Sequence, residues 1–350
     1  MAVLIDIESP EHHLFKDGDA NRAKARLEQP NAIADCLTIG LINNMPDSAL
    51  IPTERQVFDL LHAAAEDIPV RLRFYGLPSV ARSDWARQYI GKYYADMDGL
   101  WDGRIDGLIV TGAEPKAPDL TTEPYWRAFT DIVDWAKDRT VSTVWSCLAV
   151  HGAVLHADGI ERRKLDDKCI GIFDQEKMLE HPLLEGVPTK LRIPHARWNA
   201  IDEDALTAKG YSVLTRSAEA GIDTFIKQQN QSLFVYFHGH PEYDAHSLLG
   251  EYRRDIGRFL RGESECYPTM PRNYFDHQAE ALLAAFERRA TAACGTALAG
   301  SARGNEMFAR FPVERVAITL TKPWQGAAVQ IYRNWISYIA ARRAHDLRAA

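Results

Sequence analysis

Val141-Ser-Thr-Val-Trp-Ser-Cys147-Leu-Ala-Val-His-Gly-Ala-Val154 is an apolar run of strand length that ends in a cysteine and passes directly into a small-residue, helix-like stretch. Strands that feed helices in this way build parallel sheets covered by helices. The junction is also where a nucleophile would sit. A thiol at a helix N-terminus feels the positive end of the peptide dipoles, which lowers its pKa, and a neighbouring imidazole can take its proton. Downstream, Phe237-His-Gly-His-Pro-Glu-Tyr-Asp244 offers that imidazole. His240 would be the base and Glu242 would hold its ring in the useful tautomer. The backbone N–H of Leu148 would donate to an oxyanion formed in acyl transfer. The competing reading is packing, because cysteine is among the most buried residue types.

Outward from the junction the alternation repeats. Residues 36–42, 70–75 and 105–110 read as further strands, and helical stretches separate them. Thr53-Glu-Arg-Gln56 after Pro52 has the form of a capping box opening a helix through residue 65, with Val57, Leu60, Leu61 and Ala64 on one face. Residues 124–137 have the same helical character. The expected fold class is α/β, a parallel sheet flanked by helices, with functional groups at the carboxyl ends of strands. Three such ends carry suggestive residues: Asn43-Asn44-Met45-Pro46, Thr111-Gly112-Ala113-Glu114-Pro115, and Cys147.

From Lys168 the pattern becomes more β-like, through 169–173, 191–193, 211–214, 224–227 and 233–237, with no linker that would split off a second unit. Residues 245–260 read as a helix that puts Glu251 and Arg254 on one side. Residues 276–299 form an Ala-rich helical stretch broken by Gly300-Ser-Ala-Arg-Gly304. Residues 329–342 carry Ile331, Trp335, Ile336 and Ile339 at the spacing of a docked helix. The expected organisation is an N-terminal extension at 1–35, one α/β domain at 36–262, and a helical C-terminal extension at 263–350 packed on it.

Composition excludes several classes. The 350 residues are 46% hydrophobic and 25% charged with a net charge of −7, which argues against a nucleic-acid partner. Five scattered cysteines without a C-x-x-C pair suggest neither a zinc site nor a disulfide framework, and fit reduced thiols in the cytoplasm. No run approaches the roughly 18 apolar residues of a membrane span, and the first thirty residues lack a signal-peptide core.

With these residues in view, 36–262 resembles the homoserine O-acyltransferase family of methionine biosynthesis, built on the class I glutamine amidotransferase-like (flavodoxin-like) fold. The likeness rests on Asn44-Met45-Pro46 with Thr53-Glu54-Arg55-Gln56, on 106–113 with Tyr125-Trp126, on Cys147, and on 239–245 with Glu251 and Arg254-Asp255. It implies a ping-pong reaction in which Cys147 takes an acyl group from acyl-CoA. The hydroxyl of an amino acid, deprotonated by His240, then removes it. It also implies that Lys168 and Arg197 lie near the substrate, and that Glu251 and Arg254 hold the acceptor's ammonium and carboxylate. A surface ion pair between the last two is the alternative. Acyl-CoA would enter as co-substrate, with no resident cofactor or metal. The expected assembly is a homodimer.

Three departures bear on specificity. The family's serine before Arg197 is Ala196, and its tryptophan after the cysteine is Leu148, so serine competes with homoserine as acceptor. Where the family selects its acyl donor, with glycine accompanying succinyl and glutamate acetyl, this chain has Lys116. A lysine can pair with a succinyl carboxylate, which favours succinyl-CoA unless the side chain points to solvent. A glutaminase is the second reading and a non-catalytic binding protein the third. Glutaminases commonly carry Gly-x-Cys-x-Gly, and those positions are Trp145 and Ala149 here, which disfavours the second; an intact Cys147, His240 and Glu242 disfavours the third.

Overall fold

A computed structural model describes residues 3–7, 11–15, 36–294 and 302–349. Most of the expected N-terminal extension (16–35) and the first part of the expected break at 300–304, residues 300–301, lie outside the described residues, while 302–304 open a helix rather than break one. The first half of the chain runs β1 (Val3–Ile5), β2 (Leu37–Ile42), α1 (Leu50–Ala64), β3 (Val70–Tyr75), α2 (Asp84–Tyr93), α3 (Met97–Trp101), β4 (Gly107–Thr111), α4 (Trp126–Arg139), β5 (Ser142–Ser146) and α5 (Leu148–Asp158). A β-rich stretch follows: β6 (Arg163–Lys177), β7 (Lys190–Ala200), α6 (Glu203–Ala208), β8 (Ser212–Val213), β9 (Thr215–Ser217), β10 (Gly221–Ile222), β11 (Thr224–Gln229) and β12 (Ser232–Phe237). Among the described residues, five helices close the chain: α7 (Ser247–Leu260), α8 (His277–Cys294), α9 (Ala302–Ala309), α10 (Val313–Ala317) and α11 (Gln325–Ala349).

Eight strands form the main sheet in the order β1-β3-β2-β4-β5-β12-β11-β8. The first six are parallel, and β11 and β8 add an antiparallel edge. The central strands β4, β5 and β12 are buried along their whole length, which is why they read as mainly apolar runs with only small hydroxyl residues among them. Alternate residues feed two cores. Val144, Val235 and Phe237 pack with Val57 and Leu61 of α1 and with Ile336 and Ile339 of α11. Trp145, Phe234 and Tyr236 pack with Phe129 and Val133 of α4 and Val150 and Val154 of α5.

Helix α1 starts at Leu50, three residues before the expected capping box. Its N-cap, Ala49, makes no side-chain capping bond, and Thr53 and Glu54 lie buried inside the helix. Pro52 does not mark the boundary, because a first-turn residue has no intrahelical N–H bond to lose. A second, antiparallel sheet of order β10-β9-β6-β7 stands beside the main one, dominated by the long β6–β7 pair.

Candidate active site

Strands β5 and β12 are parallel neighbours with Ser146 opposite Phe237, so the residues that leave their carboxyl ends emerge side by side. Cys147 is the first residue beyond β5, and its N–H donates to Phe237 O at 2.8 Å. Its φ is +50°, an uncommon conformation for a residue with a Cβ, and α5 begins at the next residue. The elbow is held from beside it. A Cβ at Gly112 would collide with the Cβ of Leu148 and come 2.7 Å from Ala149 N, so only glycine lets the β4 loop pass this close. As the first helical residue, Leu148 has a backbone N–H with no intrahelical partner.

His240 reaches the cysteine from the β12 side. Its N–H donates to Pro194 O at 2.8 Å, pinning the loop to the second sheet. The glycine before it is required, because a Cβ at 239 would sit 2.7 Å from Asp223 Oδ1, whose carboxylate instead accepts Gly239 N–H at 2.9 Å. His240 Nδ1 lies 2.8 Å from Glu242 Oε1, and its other nitrogen is left to hydrogen-bond Cys147. Burial alone would lower the pKa of this imidazole. The charges and hydrogen bonds of Cys147 and Glu242 overcome it and hold the pKa well above the ordinary histidine value. The Tyr243 ring lies flat on the imidazole, centroids 4.0 Å apart and 11° from parallel.

A compact charged cluster adjoins the pair. Lys168 Nζ bonds Asp255 Oδ2 at 2.6 Å and Glu251 Oε2 at 3.1 Å, and Arg254 grips both oxygens of Glu251 at 2.5 and 3.2 Å. Burial would raise the Glu251 pKa, but Lys168, Arg254 and the field of His240 hold it below the usual carboxylate range. Lys168 and Arg254 thus balance Glu251 and Asp255 beside Cys147 and His240. The cluster unites Lys168, Glu251 and Arg254, and adds Asp255, which sequence reasoning quoted only as part of a motif.

Arg197 is held elsewhere. It is buried on β7, with Nη1 donating to Asn199 O at 2.5 Å, Nη2 to Ala220 O and Nε to His195 Nδ1 at 3.4 Å. Lys116 is exposed in the loop after β4, and its ammonium makes no ion pair among the described residues. Its backbone N–H is bound by Glu123 Oε1 at 2.5 Å, as is that of Ala117 at 2.6 Å. Leu148 lines an apolar pocket with Gly112, Asn44, Tyr125, Trp126 and Phe129. Among the described residues, His12, His13 and Glu54 are the group with metal-ligand composition. Both Glu54 oxygens there are engaged, by His12 at 3.0 Å, His13 at 2.8 Å, Tyr89 at 2.8 Å and Tyr94 at 2.6 Å. No described helix is long and apolar enough to cross a membrane.

Known proteins share this chain's sequence over almost its whole length. The family model for homoserine O-succinyltransferase matches residues 2–345. The chain belongs to the homoserine O-succinyltransferase family. A homoserine O-succinyltransferase of Bradyrhizobium japonicum is 48% identical over 97% of this chain and 99% of its own length. One from Rhodopseudomonas palustris is 47% identical over 89% of this chain and 90% of its own. A solved glutamine amidotransferase from Thermotoga maritima overlaps 87% of this chain and 98% of its own, at 10% identity and a TM-score of 0.47. In this member of the homoserine O-succinyltransferase family the fold is α/β, a mainly parallel sheet flanked by helices.

Proposed function

We propose that the chain transfers the succinyl group of succinyl-CoA to the hydroxyl of L-homoserine through a thioester on Cys147, a step on the way to methionine. The Cys147 thiolate attacks the thioester carbonyl of the donor. The tetrahedral oxyanion is met by the free N–H of Leu148, and collapse breaks the bond to coenzyme A, whose sulfur takes the proton from His240. Neutral His240 then removes the proton from the acceptor hydroxyl as it attacks the acyl-enzyme. The Cys147 thiolate leaves, and the proton stays on His240, restoring the starting pair. Lys168, Glu251, Arg254 and Asp255 bind the acceptor's ammonium and carboxylate. Homoserine as acceptor and succinyl as acyl group follow the names of the relatives.

The observation that carries this reading is geometric: Cys147 and His240 leave the carboxyl ends of paired neighbouring strands, and Glu242 holds the His240 ring at 2.8 Å. The test is incubation with succinyl-CoA alone, followed by intact-mass spectrometry. A single succinyl adduct that Cys147→Ala lacks is expected. No adduct with any acyl-CoA, together with ammonia release from glutamine, would favour a glutaminase instead. A thiol-release assay crossing acetyl- and succinyl-CoA with homoserine and serine reads both specificities. In that assay Lys116→Glu should shift donor use towards acetyl; an unchanged ratio removes Lys116 from the argument.

A further inference from the structure

We propose that the C-terminal helical segment belongs to the catalytic centre, with Trp324 and Tyr243 acting as positioning residues that fix the plane of the His240 imidazole. The inference rests on the Cys147–His240 reading above. His240 must offer one nitrogen to Cys147 while keeping the other on Glu242. A hydrogen bond to a carboxylate sets one axis of the ring but leaves it free to rock about that axis, because the terminal torsion of histidine is broad. The stacked Tyr243 ring, 4.0 Å away and 11° from parallel, removes that freedom. Its π face also attracts the imidazolium form.

Tyr243 is itself held at two points. Its N–H closes a tight turn onto His240 O at 3.2 Å, and its carbonyl accepts the indole N–H of Trp324 at 3.0 Å. Trp324 is fully buried and lies just before α11. Without that N–H the Tyr243 carbonyl would lose its buried partner. The same segment supports the cysteine side of the site. Tyr332 of α11 stacks on Phe237 at 6.0 Å and 16°, and the carbonyl of Phe237 holds Cys147 N–H. Both halves of the reacting pair are therefore backed by residues from beyond position 320.

The test compares Tyr243→Phe, Tyr243→Leu and Trp324→Phe in the full chain. It reads kcat, KM for each substrate, melting temperature, and the pH profile of Cys147 alkylation by iodoacetamide, followed on the Cys147 peptide. Tyr243→Phe keeps the ring and should stay within about threefold of native kcat. Tyr243→Leu and Trp324→Phe should lose about 10- to 30-fold in kcat with KM changed less than about twofold, the size of effect expected when a base is misaimed. Their alkylation profiles should shift as the imidazolium is destabilised. The proposal falls if Trp324→Phe and Tyr243→Leu keep native kcat and profile, or lose only melting temperature. It also falls if Tyr243→Phe is as damaged as Tyr243→Leu, since the hydroxyl would then be what matters. Cys147→Ala separates the two levels. If it still turns over, the reading of the site is wrong; if it is dead while Trp324→Phe and Tyr243→Leu are native-like, only the positioning role is wrong.

Discussion

Cys147 is held at a backbone conformation that costs roughly 1–3 kcal/mol for a residue with a side chain, and the surrounding contacts force it. On the proposed function that cost serves catalysis, since the bend turns Cys147 out of the sheet towards His240. Cys147→Gly should therefore be more stable than Cys147→Ala by about 1 kcal/mol, with both inactive; equal melting curves would show that the bend stores no strain. The neighbouring imidazole gives a pH prediction with a definite sign. The Glu242 carboxylate helps to raise the His240 pKa, so Glu242→Gln should lower it. Protonating the departing coenzyme A sulfur needs the imidazolium. The alkaline limb of kcat/KM for acyl-CoA, which reports the free enzyme, should then move to lower pH. An unmoved limb would mean that Glu242 orients the ring without influencing its charge. The meeting of Cys147, His240 and Glu242 at neighbouring strand ends was legible in the sequence because each lies in a short, chemically distinctive motif. Tyr243 was in plain sight within the same motif, but a stack is a three-dimensional fact that spacing does not encode.

Among the elements, the central strands could be read because burial on both faces leaves mostly apolar residues, whereas of the second sheet only 169–173 and 191–193, inside β6 and β7, could. Strand β6 mixes exposed charges with buried residues, and its pairing with β7 skips register between Lys164 and Cys169, which no local pattern announces. The charged face of α7 was legible as Glu251 and Arg254, while its third contributor, Asp255, needed the approach of Lys168 from β6. The start of α1 was misread for a physical reason, and the misreading hid Glu54. That carboxylate, fully buried, joins α1 to α2 and to the described N-terminal turn at His12 and His13. Burial would raise its pKa, but bonds from His12, His13, Tyr94 and Tyr89 hold it below the ordinary value. A depressed carboxylate contributes stability that is fully present above its unfolded pKa of about 4.3 and is lost as pH falls through the lower native value. Glu54→Gln should accordingly cost about 3 kcal/mol at pH 7 and progressively less towards pH 3. A melting-temperature gap between the two proteins that does not narrow with acid would exclude this linkage.

On the scale of the whole molecule, the C-terminal helices share a core with the main sheet. Helix α11 lies in the same core as β2, β5 and β12, and its polar groups reach distant parts of the chain. Trp335 Nε1 donates to Ser142 Oγ at 2.8 Å, Asn334 to Leu183 O at 3.1 Å and Glu185 O at 2.8 Å, and Arg343 to Cys36 O at 2.5 Å. Ser142 passes the contact on, donating to Leu233 O at 2.6 Å, so one buried chain of bonds links α11 to β5 and β12, the two strands that carry Cys147 and His240. Residues that share a core and a hydrogen-bond chain unfold together. In urea, loss of tyrosine and tryptophan fluorescence, loss of helix and loss of acyl transfer should therefore follow one transition. Trp335→Ala should displace all three by about 3–5 kcal/mol, through the cavity and the Ser142 oxygen left without its donor. If helix melted first while transfer persisted, the C-terminal segment would be a separable appendage, and the support it lends to the reacting pair would have to come from elsewhere.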